Sequence, residues 1–349
     1  MTTAAINQVR RQFARHARRN TMRGAGVYLR LLERRGRQSL PEIVGFRWVM
    51  DQFLRMPDFR APSDTRVKAV HDHFEGGQVR GEWVESPGVV ARDTGAVLYV
   101  HGGGFVAGSP RTHRGLVAEI SRRTGLPVFS LDYRLAPRHP FPAAPDDVLR
   151  AYRWLLDGGP EPTRVVVMGD SAGGHLALGL SPRAVRADTP VPAGVVALSP
   201  VVDLLMRASI ARTALHPDPL VPSSAVTAVL APFLGGHDPE HPELHLPADD
   251  LSVVPPTLIQ YGSDEFLAGD IPVYAEAVEA AGSRCDLRPY ERQAHVFQIA
   301  HRLIEPARAA LDEIADFVAD VTGGPEPGAA SGPEPRAAAG PPTGAAGAP

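Results

Sequence analysis

An α/β chain with a mostly parallel sheet of eight strands, covered by helices on both faces, is the fold class this sequence predicts. Extended β-branched runs alternate with helical ones from about residue 67 onward, the pattern of a doubly wound sheet. Four of those runs, AVLYV, RVVVMG, GVVALS and PTLIQYG, are almost wholly apolar, as strands buried on both faces should be. The 349 residues are 44% hydrophobic and 21% charged, an ordinary balance for a chain long enough to bury one large α/β core.

In chain order, the first forty residues hold ten arginines against one acid, Glu33. Ile6, Val9, Phe13 and Ala17 fall on one helical face there, which fits a basic amphipathic helix packed on the body of the protein. A membrane-surface or transit-like helix is the alternative. VKAVHDHF and QVRGEWVES, joined by a short Gly-Gly link, predict an antiparallel hairpin at one edge of the sheet. AVLYV, PVFSLDY, RVVVMG, GVVALS, PTLIQYG and CDLRPY supply the remaining strands. Helical patterns occupy residues 141–157, 270–282 and 300–320. In the last, Leu303, Ala307, Leu311, Ile314 and Val318 make an apolar stripe. Residues 323–349 carry no large apolar side chain and are expected to be a disordered tail.

A net charge of −3 provides no basic field for nucleic acid. The single cysteine, Cys285, excludes an internal disulfide framework and fits a reducing compartment such as the cytoplasm. No apolar run approaches the roughly 18 residues of a membrane span. The near-exclusive use of arginine (only Lys68 is lysine) reads as coding bias rather than function.

Gly169-Asp170-Ser171-Ala172-Gly173 directly follows a buried strand and precedes a helical run. A Gly-x-Ser-x-Gly at a strand-to-helix turn exposes the serine above the sheet as a nucleophile elbow. Upstream, His101-Gly102-Gly103-Gly104-Phe105 follows AVLYV. Consecutive glycines leave backbone N–H groups unshielded. Those of Gly103 and Gly104, with that of Ala172 after the nucleophile, can receive the anion of a tetrahedral intermediate. His101 is expected to brace this loop. A serine needs a base, and His295, after the final strand and before the last helix, stands where the Ser–acid–His order of this sheet type puts it. His301 is read as a surface residue of the last helix. His237, His241 and His245 have helical spacing, but Pro239 and Pro242 break any helix that would make a metal site of them. Asp270 is read as the first turn of the helix after the acidic stretch.

HGGGF at His101–Phe105, DYRLAPRHPFPAAPDD at Asp132–Asp147, GDSAGG at Gly169–Gly174, LSPVVDL, VPPTLIQYG and the HVF around His295 together resemble the bacterial hormone-sensitive-lipase-like esterases of the α/β-hydrolase fold, over roughly residues 40–322. That resemblance implies hydrolysis of short- to medium-chain carboxylic esters through a Ser–His–acid triad, without metal or organic cofactor. It implies one catalytic domain, 46–322, with a helical cap made by residues 1–45 and an insertion at about 204–250. A small-molecule ester is the implied partner, and a homodimer is compatible. Amide, carbamate or acetylated substrates remain open within the same fold, as does a non-catalytic ligand-binding relative. Three positions depart from the family pattern: Arg138 where Glu is usual, Val201 where Trp is common, and Pro182 inside the helix after the nucleophile.

For the acid, YGSDEFLAGD offers Asp264 and Glu265 side by side at a strand end. Either can accept the imidazole proton and fix its tautomer. The family pattern Gly-x-x-acid-x-Leu, counted from Gly262 to Leu267, favours Glu265, as does its separation from His295. Asp264 is the rival, its side chain otherwise suited to capping the turn.

Overall fold

The computed structural model describes residues 59–213, 216, 218 and 230–324. The expected N-terminal segment 1–45, the tail beyond Gly324 and part of the 204–250 insertion lie outside the described residues.

The strands are β1 (Arg66–Phe74), β2 (Gly77–Glu85), β3 (Ala96–Val100), β4 (Val128–Leu131), β5 (Val165–Asp170), β6 (Gly194–Leu198), β7 (Thr257–Gly262) and β8 (Cys285–Tyr290). They form one eight-stranded sheet in the order β1-β2-β4-β3-β5-β6-β7-β8. β2 pairs antiparallel with β1 and β4, and every other neighbour pair is parallel. Strands β3, β5, β6 and β7 are buried along their whole length, which is why their sequences do not alternate.

Period-two geometry divides these apolar strands between two cores. Ala96, Leu98 and Val100 face one side; Val97 and Tyr99 face the other. On the first side pack α2 (Ala143–Asp157), α3 (Ala172–Leu178) and α6 (Asp270–Ala280); on the second pack α1 (Pro110–Thr124) and α7 (Glu305–Thr322). Helix α1 begins at a capping box between Ser109 and Thr112, with Pro110 in its first turn, and ends on Gly125 in the left-handed region. Every such end satisfies N–H or C=O groups that burial would otherwise leave unpaired.

Several sequence expectations need correction. The edge hairpin turns on Glu75-Gly76, both at positive φ, with Phe74 facing Gly77, so only one glycine of the Gly-Gly pair lies in the two-residue loop. The last helix begins at Glu305 rather than 300, because Pro306 fits only its first turn. Leu303 therefore drops out of the apolar stripe and is exposed, while His301, expected at the surface, is 4% exposed in the turn before the helix. At Gly179 the helix after Ser171 gives way to α4 (Leu180–Arg186), which accommodates Pro182 near its start. The segment between β6 and β7 contains α5 (Arg207–Thr213), a helical stretch at 230–234 and turns through 250.

Candidate active site

The parallel strands all point their C-terminal ends to one side, where an open α/β sheet places its ligands. HGGGF leaves β3, the elbow leaves β5, Ser199 follows β6, the acidic stretch follows β7 and His295 follows β8.

Ser171 sits between β5 and α3 at φ 53°, ψ −118°, a region that costs a non-glycine residue about 1–3 kcal/mol. The surroundings hold it there. Its N–H donates to Leu198 O (2.8 Å) and its carbonyl accepts from the N–H groups of His175 and Val201 (both 3.1 Å). The flanking glycines are needed for close approach. A Cβ on Gly169 would collide with the Gly173 carbonyl, and one on Gly173 with the carbonyl of Val100.

Ser171 Oγ lies 2.9 Å from His295 Nε2. On the other side of the ring, His295 Nδ1 lies 3.5 Å from Glu265 Oε1. Glu265 is wholly buried. Its second oxygen, Oε2, accepts from Ser199 Oγ (2.6 Å) and Gly262 N (3.0 Å), leaving Oε1 for the histidine. Ser199 Oγ also accepts from Val296 N (3.0 Å), so one hydroxyl ties Glu265 to the residue after His295. Burial pulls the His295 pKa down, but the hydrogen bond and charge of Glu265, helped by the Asp218 and Asp170 carboxylates, outweigh it and raise the pKa above 6.5. Asp264, the rival acid, is exposed and accepts from Ser263 Oγ (3.1 Å). It makes no hydrogen bond with His295 among the described residues.

In the glycine loop, Gly103 (φ 120°) and Gly104 (φ 62°) take conformations that side chains rarely adopt. The Gly102 N–H is occupied, donating to Asp170 Oδ1 (2.9 Å). Among the described residues no acceptor takes the N–H groups of Gly103, Gly104 or Ala172, the three candidates for an oxyanion hole. The DYRLAP run supports this loop from below: Tyr133 OH donates to His101 O (2.8 Å) and Ala136 N to Phe105 O (2.9 Å). His101 stacks on Tyr133 at 4.4 Å, with its Nδ1 against Gly102 O at 2.8 Å. Burial, with the neighbouring His113, lowers its pKa to about 3. A neutral imidazole bracing the loop matches the role expected of it.

Asp170, the variable residue of the elbow, went unread in sequence. It is 3% exposed and accepts from Tyr99 OH (2.7 Å) and Gly102 N, with His113 Nε2 at 3.4 Å. Burial alone would raise its pKa, yet His113 and these donors hold it below the usual carboxylate value. Asp170 thus joins the elbow to the glycine loop. Nothing in local sequence marks His113 on α1 as its partner. Of the departures from the family pattern, Val201 is buried and its carbonyl accepts from the His175 ring (2.9 Å); Arg138 is exposed.

No group of three or more metal-ligating side chains occurs among the described residues. His245 of the earlier histidine trio instead lies 3.2 Å from Asp203.

Residues 97–299 match the family model of the alpha/beta hydrolase fold. An acetyl-hydrolase of Streptomyces hygroscopicus is 34% identical over 247 residues, covering 71% of this chain and 82% of its own. An esterase of Acinetobacter venetianus is 33% identical over 276 residues, 79% of this chain and 88% of its own. The solved structure of an esterase from the bacterial hormone-sensitive lipase family superposes with a TM-score of 0.76 at 33% identity, over 86% of this chain and 98% of that one.

Proposed function

This chain belongs to the hormone-sensitive-lipase-like esterases of the α/β-hydrolase fold and is a carboxylic ester hydrolase; from that premise we propose that Ser171 is its nucleophile, His295 its general base and Glu265 the acid that orients His295. The single observation carrying this reading is the line Ser171 Oγ–His295–Glu265, at 2.9 and 3.5 Å.

His295 Nε2 takes the Ser171 proton as Oγ attacks the ester carbonyl carbon. The carbonyl oxygen becomes an anion received by the N–H groups of Gly103, Gly104 and Ala172, each donor worth about 10²–10³ in rate. The protonated His295 then gives its proton to the departing alkoxide, so an alcohol leaves and an acyl-serine remains. Water, deprotonated by the same nitrogen, attacks the acyl carbon, and collapse returns the acid and free Ser171. Glu265 accepts Nδ1–H throughout, fixing the tautomer that leaves Nε2 free to act. The 3.5 Å contact is the loose form of a bond that shortens when imidazolium develops.

We further propose that residues about 204–250 and 1–45 form a cap over the acyl site and that the substrates are short- to medium-chain esters. The name of the Streptomyces relative, an acetyl-hydrolase, supports the short end of that range. A cytoplasmic location is proposed from the lone, buried Cys285; no helix among the described residues is long and apolar enough to cross a membrane.

Turnover of p-nitrophenyl butyrate by Ser171→Ala tests the assignment. The variant is expected to lose about 10⁶-fold in kcat while remaining folded; unchanged turnover contradicts it. The raised pKa of His295 also has a sign. The free enzyme needs neutral His295, so kcat/KM should fall as pH drops through a value above 6.5. An acid limb lying below 6.5 contradicts this.

A further inference from the structure

The Glu265 loop leaves its sheet without a regular partner for several backbone groups. Its inner side is held by the end of β8 and the loop after it, with Ser263 N donating to Tyr290 O (2.9 Å) and Asp264 N to Gln293 O (3.2 Å). Its outer side is held by two charged side chains from the segment between β6 and β7. Arg212 on α5 donates from Nη2 to Ser263 O (2.5 Å) and from Nη1 to Glu265 O (3.3 Å). Asp218 accepts from Phe266 N (2.7 Å).

These contacts are reciprocal. α5 has only seven residues, too short to be stable alone. The Asp270 carboxylate accepts from Ala208 N (2.9 Å) and Ser209 N (3.2 Å) at its start. Gly269 lies so close to Ala208 and Ser209 that a Cβ there would collide with their backbone. The acid loop and its extension therefore anchor α5, and α5 returns a guanidinium fork to the acid loop. A planar fork that spans two carbonyls restricts the backbone on both sides of Asp264 and Glu265.

We infer that Arg212 and Asp218 are positioning residues of the active site, which hold the Glu265 loop by its backbone and so set the contact between Glu265 and His295. The carboxylates that act on His295 are Glu265, Asp218 and Asp170, with Arg212 beside Glu265 and Tyr261. This inference rests on Glu265 being the acid.

The experiment measures kcat, KM and the pH profile of kcat/KM on p-nitrophenyl butyrate for Arg212→Gln, Arg212→Lys and Asp218→Asn, with Glu265→Gln in parallel and thermal unfolding as a check on folding. A displacement of about 1 Å at a catalytic group costs about 100-fold, so kcat should fall by about 10- to 100-fold in Arg212→Gln and Asp218→Asn with KM little changed. Arg212→Lys, which can serve one carbonyl but not both, should fall between wild type and Arg212→Gln. In Asp218→Asn the acid limb should also move to lower pH, since a carboxylate that favours imidazolium is gone. Wild-type kcat with an unmoved limb overturns the inference, as does a loss confined to KM or one that only tracks lowered thermal stability. If Glu265→Gln keeps full activity, the acid assignment itself fails. If Glu265→Gln is inactive while the other variants turn over normally, only the positioning role fails.

Discussion

At Glu265 each carboxylate contact comes from a different strand end: Ser199 after β6, Gly262 at the end of β7 and His295 beyond β8. Asp264, one residue earlier, faces solvent. Glu265→Gln should therefore lower kcat by about 10⁴-fold, because the amide fixes the wrong imidazole tautomer. Asp264→Asn should stay close to wild type. The opposite ranking, measured on folded variants, would transfer the acid role to Asp264. In sequence the two were separable only through spacing, to Gly262 and Leu267 and to His295, whereas Ser171 and His295 stood out by their places relative to strand and helix. Asp170, His113 and Ser199 were illegible for a common reason. Their partners lie on other elements, and no local pattern records which strand ends will be neighbours.

Among the elements, the apolar strands were readable because burial on both faces removes alternation. The points misread were local: a turn shifted by one residue, and a last helix whose start Pro306 fixes at Glu305. The insertion between β6 and β7 was least legible, since its contacts are with loops and with the helices α3 and α4, where Glu243 and Asp249 meet His175, Arg183 and Arg186. One such contact is Phe233, wholly buried, stacked on Phe105 of the glycine loop at 3.8 Å and 9°. Its carbonyl also accepts from Phe141 N (2.8 Å). Phe233→Ala should destabilise the protein by about 3–5 kcal/mol and lower kcat by loosening the glycine loop against the insertion. Urea unfolding and turnover check it; a variant with unchanged stability and kcat would show that the stack does not tie the two together.

For the whole molecule, charge is distributed unevenly between interior and surface. His101, His175 and His301 are buried, and burial lowers their pKa values to about 3, 4 and 4. Each stays neutral in the fold but takes up a proton on unfolding below its ordinary value of 6.5. Their stabilising effect is complete above 6.5 and is lost as pH falls toward the folded values. Between pH 6.5 and 5 each should remove about 1.4 kcal/mol per pH unit once the unfolded chain is fully protonated. His113 and His295, whose pKa values are raised, act in the opposite sense. Urea unfolding should still show lower stability at pH 5 than at pH 7, with the three lowered rings outweighing these two; a gain in stability at pH 5 would contradict it.

The fold class was legible from alternation and strand apolarity, and the chemistry from a few punctuated turns. The buried polar connections between those turns required the three-dimensional arrangement. The most direct test of the central claim is covalent labelling with diethyl p-nitrophenyl phosphate, followed by peptide mapping. The expected result is one diethylphosphoryl group per chain, on Ser171, with esterase activity lost in proportion to labelling. Full activity in enzyme labelled at Ser171, or inactivation with the label elsewhere, would contradict it.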